Sequence, residues 1–123
     1  MFKSYVLVAL GSALGGVARV ALAGGVYRRW GTAFPWGTLA VNLSGCFLMG
    51  VFFSWAEVRL RLSPAARLFL MAGFCGGFTT FSTFALETSQ LFKAGAPSAA
   101  LVYAVGSAVL GVGLFWAGAV VGR

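Results

Sequence analysis

The sequence predicts an all-α integral membrane protein with four transmembrane helices, the third broken near mid-membrane. Three observations carry that expectation. Hydrophobic residues make up 60% of the 123-residue chain and charged residues only 9%, whereas soluble chains run to about 25% charged. The apolar residues fall in four runs, each near the roughly 20 residues that cross a hydrocarbon core, with none of the short alternating strands of a membrane barrel. The third run contains Gly73-Phe74-Cys75-Gly76-Gly77-Phe78-Thr79-Thr80-Phe81-Ser82-Thr83-Phe84, whose glycines and hydroxyls do not suit a plain lipid-facing helix. Residues 1–123 read as a single four-helix transmembrane domain, with no soluble part large enough to fold alone.

The first span is expected at about Tyr5 to Ala23, with Gly11, Gly15 and Gly16 as a small-residue stripe for close helix packing. Arg19 near its end either snorkels to the interface or faces a water-filled vestibule, where it would raise the local anion concentration. Lys3 precedes a segment with no cleavage-like site, so no separate signal peptide is expected. Tyr27-Arg28-Arg29-Trp30-Gly31-Thr32 reads as the first loop, with aromatic and basic interface anchors.

Pro35 opens the second span, about Trp36 to Ala56, at a position where its missing N–H costs little. Thr38 and Asn42 stack four apart on one face, continued by Gly45, Cys46 and Met49. An asparagine at this depth needs a partner: it is either glue between helices or part of a polar site. The second loop, Glu57 to Arg67, ends in a Ser63-Pro64 helix start. The third span, about Ala66 to Phe92, is overlong for a straight crossing, which a break near Gly76 or a tilt would explain. After the Ala94-Gly95-Ala96-Pro97 turn, the last span covers about Ser98 to Val121. It carries Tyr103, Ser107 and Gly111 at four-residue spacing.

Composition excludes several function classes. The formal charge is +7, but the basic residues sit at helix ends rather than in a patch, which suits lipid headgroups and argues against a nucleic-acid partner. There is no histidine, and Glu57 and Glu87 are the only acids, so neither a metal cluster nor a catalytic carboxylate pair is available and no enzyme is expected. Cys46 and Cys75 lie singly in different runs and read as small packing residues. With four spans, one side of the membrane holds Lys3, Arg59, Arg61, Arg67 and Arg123, and the other Arg28, Arg29 and Lys93. So slight a bias leaves open a single orientation or insertion both ways, the latter giving an inverted pair.

Beyond the glycines, the third span reads as a helix with an aromatic ladder, Phe81, Phe84 and Thr88, beside a hydroxyl ladder, Thr80, Thr83 and Glu87. Donors abound (Asn42, Thr38, Thr80, Ser82, Thr83, Ser107, Tyr103), and acidic rings for cations are lacking. A helix start after the break adds backbone N–H groups, and phenylalanine edges carry the positive part of the ring quadrupole. These are parts for a small anion. Conversely, the carbonyls ending the first half-helix suit a Na⁺-like cation, which two opposed copies would share. A coupled exporter of small cations, using Glu87, and a non-transporting helical subunit are the other readings.

The Gly73–Phe84 run closely resembles the third-helix motif of the small four-helix Fluc fluoride channels. Pro35-Trp36-Gly37-Thr38-Leu39-Ala40-Val41-Asn42 and Gly15-Gly16-Val17-Ala18-Arg19 resemble that family's second- and first-helix motifs. The resemblance implies an antiparallel dual-topology homodimer in the bacterial inner membrane, with two fluoride pores. It implies a structural Na⁺ at the dimer centre on the backbone carbonyls of Gly76 and Thr79. Phe81 and Phe84, from different subunits, would line each pore with Asn42. Thr80, Ser82, Thr83, Tyr103 and Ser107 would form a polar track, with Gly111 standing where some members have a serine. The implied role is passive export of fluoride, giving fluoride resistance.

Overall fold

The protein, a computed structural model describing residues 1–123, contains four helical segments long and apolar enough to cross a membrane. We label them α1 (Phe2–Trp30), α2 (Trp36–Val58) and a third span in two parts, α3 (64–78) and α4 (Phe81–Lys93), followed by α5 (Pro97–Val121).

The first helix runs further than the sequence suggests. Tyr27 to Trp30, expected in a loop, complete the last turn of α1. Nothing in the sequence breaks the helix before Gly31, which takes φ +80 and donates its N–H to the Tyr27 carbonyl at 2.8 Å. Arg28 and Arg29 in that last turn also complement the negative end of the helix dipole. Pro35 caps α2 as expected, and Ser63 caps α3, its Oγ accepting the Ala66 N–H at 3.1 Å. Between them, Arg67 closes the loop with hydrogen bonds to Glu57 at 2.5 Å and to the Ala56 carbonyl at 2.8 Å.

Lipid is as apolar as leucine, so membrane helices associate through close backbone packing rather than hydrophobic burial. The glycines provide it. α1 lies on α3 so closely that a Cβ on Gly15 would stand 2.8 Å from the Phe78 nitrogen, and one on Gly77 2.8 Å from Ser12 Cα. The α2–α5 pair repeats the device, with a Cβ on Gly50 falling 2.8 Å from the Ala119 nitrogen. Ser12 adds a hydrogen bond to the Gly73 carbonyl at 3.3 Å.

The third span is broken, but not at its glycines. Gly76 keeps helical angles (φ −62, ψ −38), and the helix persists to Phe78. Chain direction changes at Thr79 (φ −84, ψ 158) and Thr80 (φ −146, ψ 119), both extended. Gly73 and Gly77 serve the close approach to α1; the threonines make the break. Their branched Cβ favours extended backbone, and their hydroxyls satisfy the freed ends. Thr79 Oγ1 donates to the Cys75 carbonyl at 2.8 Å, while Thr80 Oγ1 accepts the Thr83 N–H at 3.2 Å as the cap of α4. Upstream, Leu68–Cys75 winds as a wider π-helix, a feature the sequence did not suggest.

Candidate functional site: a broken helix facing a polar-edged aromatic cavity

The break exposes backbone groups that must find partners inside a membrane. Asn42, about two turns into α2, supplies partners for two of them. Its Nδ2 donates to the Thr80 carbonyl at 2.9 Å, and its Oδ1 accepts the Thr80 N–H at 2.8 Å. The amide thus stands in for a stretch of backbone, and it retains one further N–H.

This exchange leaves particular carbonyls short of a donor. In a continuous helix Gly76 would receive the N–H of Thr80, and Thr79 that of Thr83. Here those donors go to Asn42 Oδ1 and Thr80 Oγ1. Gly76 is also exposed on the surface of the chain. The neighbouring Gly77 carbonyl accepts instead from Arg19 Nε at 3.2 Å. The half-buried Arg19 therefore reaches across to the break rather than only snorkelling outward.

Beside the break lies an open cavity of about 360 Å³ between α2, α3, α4 and α5. Of the expected site residues it gathers Asn42, Thr79, Thr80, Phe81, Phe84 and Ser107. The Phe81 and Phe84 rings pack with centroids 5.5 Å apart and tilted by 36°. Phe84 also packs on Tyr103 at 5.1 Å. Phe81 is 80% exposed, so one side of the aromatic pair projects out of the single chain. The Ser107 Oγ is buried and has no hydrogen-bond partner. Such a group costs about 1–3 kcal/mol if left unmet, which makes it a ready donor to whatever enters.

The remaining expected residues fall elsewhere. Ser82 is exposed and does not line the cavity, and Thr83 is engaged by Thr80, whose hydroxyl donates to it at 3.0 Å. Thr38 and Tyr103 join Glu87 in a separate polar group: Thr38 Oγ1 donates to Oε1 at 2.7 Å, and the Tyr103 hydroxyl to Oε2 at 3.1 Å. Tyr27 completes it, its hydroxyl accepting the Thr38 N–H at 3.3 Å and lying 3.3 Å from Thr38 Oγ1. The single polar track expected from sequence is thus two clusters. The rings of Phe84 and Tyr103 connect them. A second cavity of about 390 Å³ opens beside Tyr27, Glu87 and Gln90.

Tyr27 was missed because it reads as an interface anchor. Its signal in the sequence is Gly37: a Cβ there would overlap the Tyr27 ring, so glycine lets the tyrosine lie against α2 and reach Thr38. Gly111 has a similar meaning in α5, since a Cβ there would lie 3.3 Å from Cys46 Sγ.

Comparison with known proteins agrees with the third-helix motif. Residues 6–119 match the family model described as "CrcB-like protein, Camphor Resistance (CrcB)". A protein of Nitrobacter winogradskyi named "Fluoride-specific ion channel FluC" is 49% identical over 111 residues, covering 90% of this chain and 88% of its own. Proteins of the same name from Acidobacterium capsulatum (45%, covering 97% and 95%) and Magnetococcus marinus (48%, covering 94% of each) extend the match to nearly the full length. With the motif, the spans and the relatives in agreement, the chain belongs to the CrcB-like family, which includes the FluC proteins.

Proposed function

We propose that the protein is a passive, selective fluoride channel of the bacterial inner membrane, built as one four-helix domain (1–123) and working as an antiparallel dual-topology homodimer with two pores. The observation that carries this reading is the cavity lining: an aromatic pair, Phe81 and Phe84, set beside the Asn42 amide, Thr80 and the unpaired Ser107 hydroxyl. Fluoride is small and tightly hydrated, so a narrow apolar slot admits it only where donors replace its water. Ring edges, an amide N–H and hydroxyls do so without a fixed positive charge that would trap it. The names of the FluC relatives support fluoride as the permeant ion.

The outward projection of Phe81 and the exposed Gly76 support a dimer in which each pore draws its two phenylalanines from different subunits. Thr38, Tyr103 and Glu87 then continue the route beyond Phe84. Ser82 and Thr83 hold a lesser place in it. Arg19, bound to the break, contributes positive potential at the vestibule.

The backbone also fits a structural Na⁺. The Gly76 and Thr79 carbonyls are those that lose their helical donors at the break, and hard oxygen ligands suit an alkali cation. When bound, the ion would supply positive charge where two sets of carbonyl dipoles meet.

Efflux requires no coupled ion, because an inside-negative potential drives an anion outward by about 2.3 kcal/mol per 100 mV. The test is efflux from proteoliposomes loaded with fluoride or chloride. Rapid, voltage-driven fluoride efflux with little chloride efflux is expected. Efflux that requires a proton gradient, and loses that requirement in Glu87→Gln, would instead establish a coupled exporter.

A further inference from the structure

The aromatic cavity has a second chemical character. Cys46 of α2 and Cys75 of α3, distant in sequence, line it together, and Met49 lies one turn beyond Cys46 on the same wall. Both cysteines are free. Cys75 is 1% exposed, and the lack of a side chain at Gly111 leaves space beside Cys46 Sγ. Three sulfur-bearing residues thus border one cavity of about 360 Å³.

We infer that this cavity is a binding site for one soft d¹⁰ cation, Ag⁺ or Cu⁺, held by Cys46 and Cys75 with the Met49 thioether as third donor. Thiolate and thioether ligands select such ions over harder ones. Nowhere does the chain gather three His, Cys, Asp or Glu side chains, so a four-ligand zinc site is not available. Charge balance fits a monovalent ion: on binding, one thiol loses its proton to solvent, and the thiolate and cation form a neutral pair in an apolar surround. The second thiol and the thioether coordinate without further charge. A bound ion would lie beside Asn42, Phe81, Phe84 and Ser107 and would obstruct the cavity. That last consequence rests on the fluoride reading; the binding does not.

The test is titration of the purified full-length protein with silver nitrate, in chloride-free and thiol-free medium, followed by calorimetry and by X-ray absorption at the silver edge. One Ag⁺ per chain is expected, with one proton released and at least two sulfur neighbours around the metal. Cys46→Ser and Cys75→Ser should each weaken binding by at least about tenfold, on the scale of a lost supporting ligand, and Met49→Leu by less. Two silver ions per chain, one sulfur per silver in the wild type, or wild-type affinity in both serine variants would overturn the shared site. The sulfur count needs no variant, so it decides even if a substitution unfolds the protein. Failure of binding with fluoride efflux intact overturns the site and leaves the channel reading standing. Bound silver that leaves efflux unchanged supports the site and removes this cavity from the fluoride route.

Discussion

The side-chain amide of Asn42 makes two hydrogen bonds to the backbone of a single residue, Thr80, at 2.9 and 2.8 Å. It therefore holds the helix break open, besides lining the cavity. Asn42→Ala should lower the thermal midpoint of the protein in detergent, because it strands a carbonyl and an N–H at about 1–3 kcal/mol each. Asn42→Asp should lower it as well, since a carboxylate still accepts from the Thr80 N–H but sets a buried charge against the Thr80 carbonyl. An unchanged midpoint in Asn42→Ala would show that the break stands without the amide.

Phe81 and Phe84 touch each other but differ in surroundings. Phe81 projects from the chain, whereas Phe84 packs on Tyr103. Replacing either with leucine should slow fluoride efflux from vesicles by about tenfold or more, equivalent to about 1.4 kcal/mol of barrier. Stability should separate them: either variant loses the contact between the two rings, and only Phe84→Leu also loses the Tyr103 contact within its own chain. If both variants conduct at the wild-type rate, the aromatic pair is not the pore.

The division between legible and hidden features follows the range of the interactions. Four spans, the Pro35 and Ser63 starts and a broken third helix are local consequences of composition and capping, and all are present in the fold. The break expected near Gly76 falls a few residues later, at Thr79 and Thr80: glycine weakens a helix in isolation, but Gly77 is needed here for contact with Ser12. The threonines took over, satisfied by Asn42 from 38 positions away in sequence. Long-range pairings of this kind also hid the Tyr27–Thr38–Glu87–Tyr103 cluster. Periodicity places Tyr103 and Ser107 on one face without revealing that Ser107 lines the aromatic cavity while Tyr103 bonds Glu87. A spacing rule identifies neighbours within a helix; it does not identify which of them meets a partner.

The glycines divide into those that carry close packing and those that do not. Gly15→Ala or Gly50→Ala drives a methyl into the backbone of a neighbouring helix and should cost about 1–3 kcal/mol of stability. A methyl group on Gly16 or Gly113 would meet nothing within 4 Å, so Gly16→Ala and Gly113→Ala should be neutral or slightly stabilising within one chain. A thermal-shift comparison in detergent checks this contrast. A marked loss with Gly16→Ala alone would place that residue against the second subunit, because its own chain offers no contact to lose.

Dual topology is tested by labelling. The near balance of basic residues across the two sides, Lys3, Arg59, Arg61, Arg67 and Arg123 against Arg28, Arg29 and Lys93, gives the insertion machinery little preference. A single cysteine introduced beside the C-terminus, in a Cys46→Ser, Cys75→Ser background, should react with a membrane-impermeant maleimide from both sides of the cell membrane, in comparable fractions. Adding lysines beside Arg61 should drive the population to one orientation. If the inverted pair is the working unit, that bias should also abolish efflux until a second, oppositely biased copy is co-expressed. Labelling confined to one side in the unbiased protein would defeat the antiparallel assembly. It would also leave the Gly76 carbonyl an unpaired helix end, with no second break opposite it to share a cation.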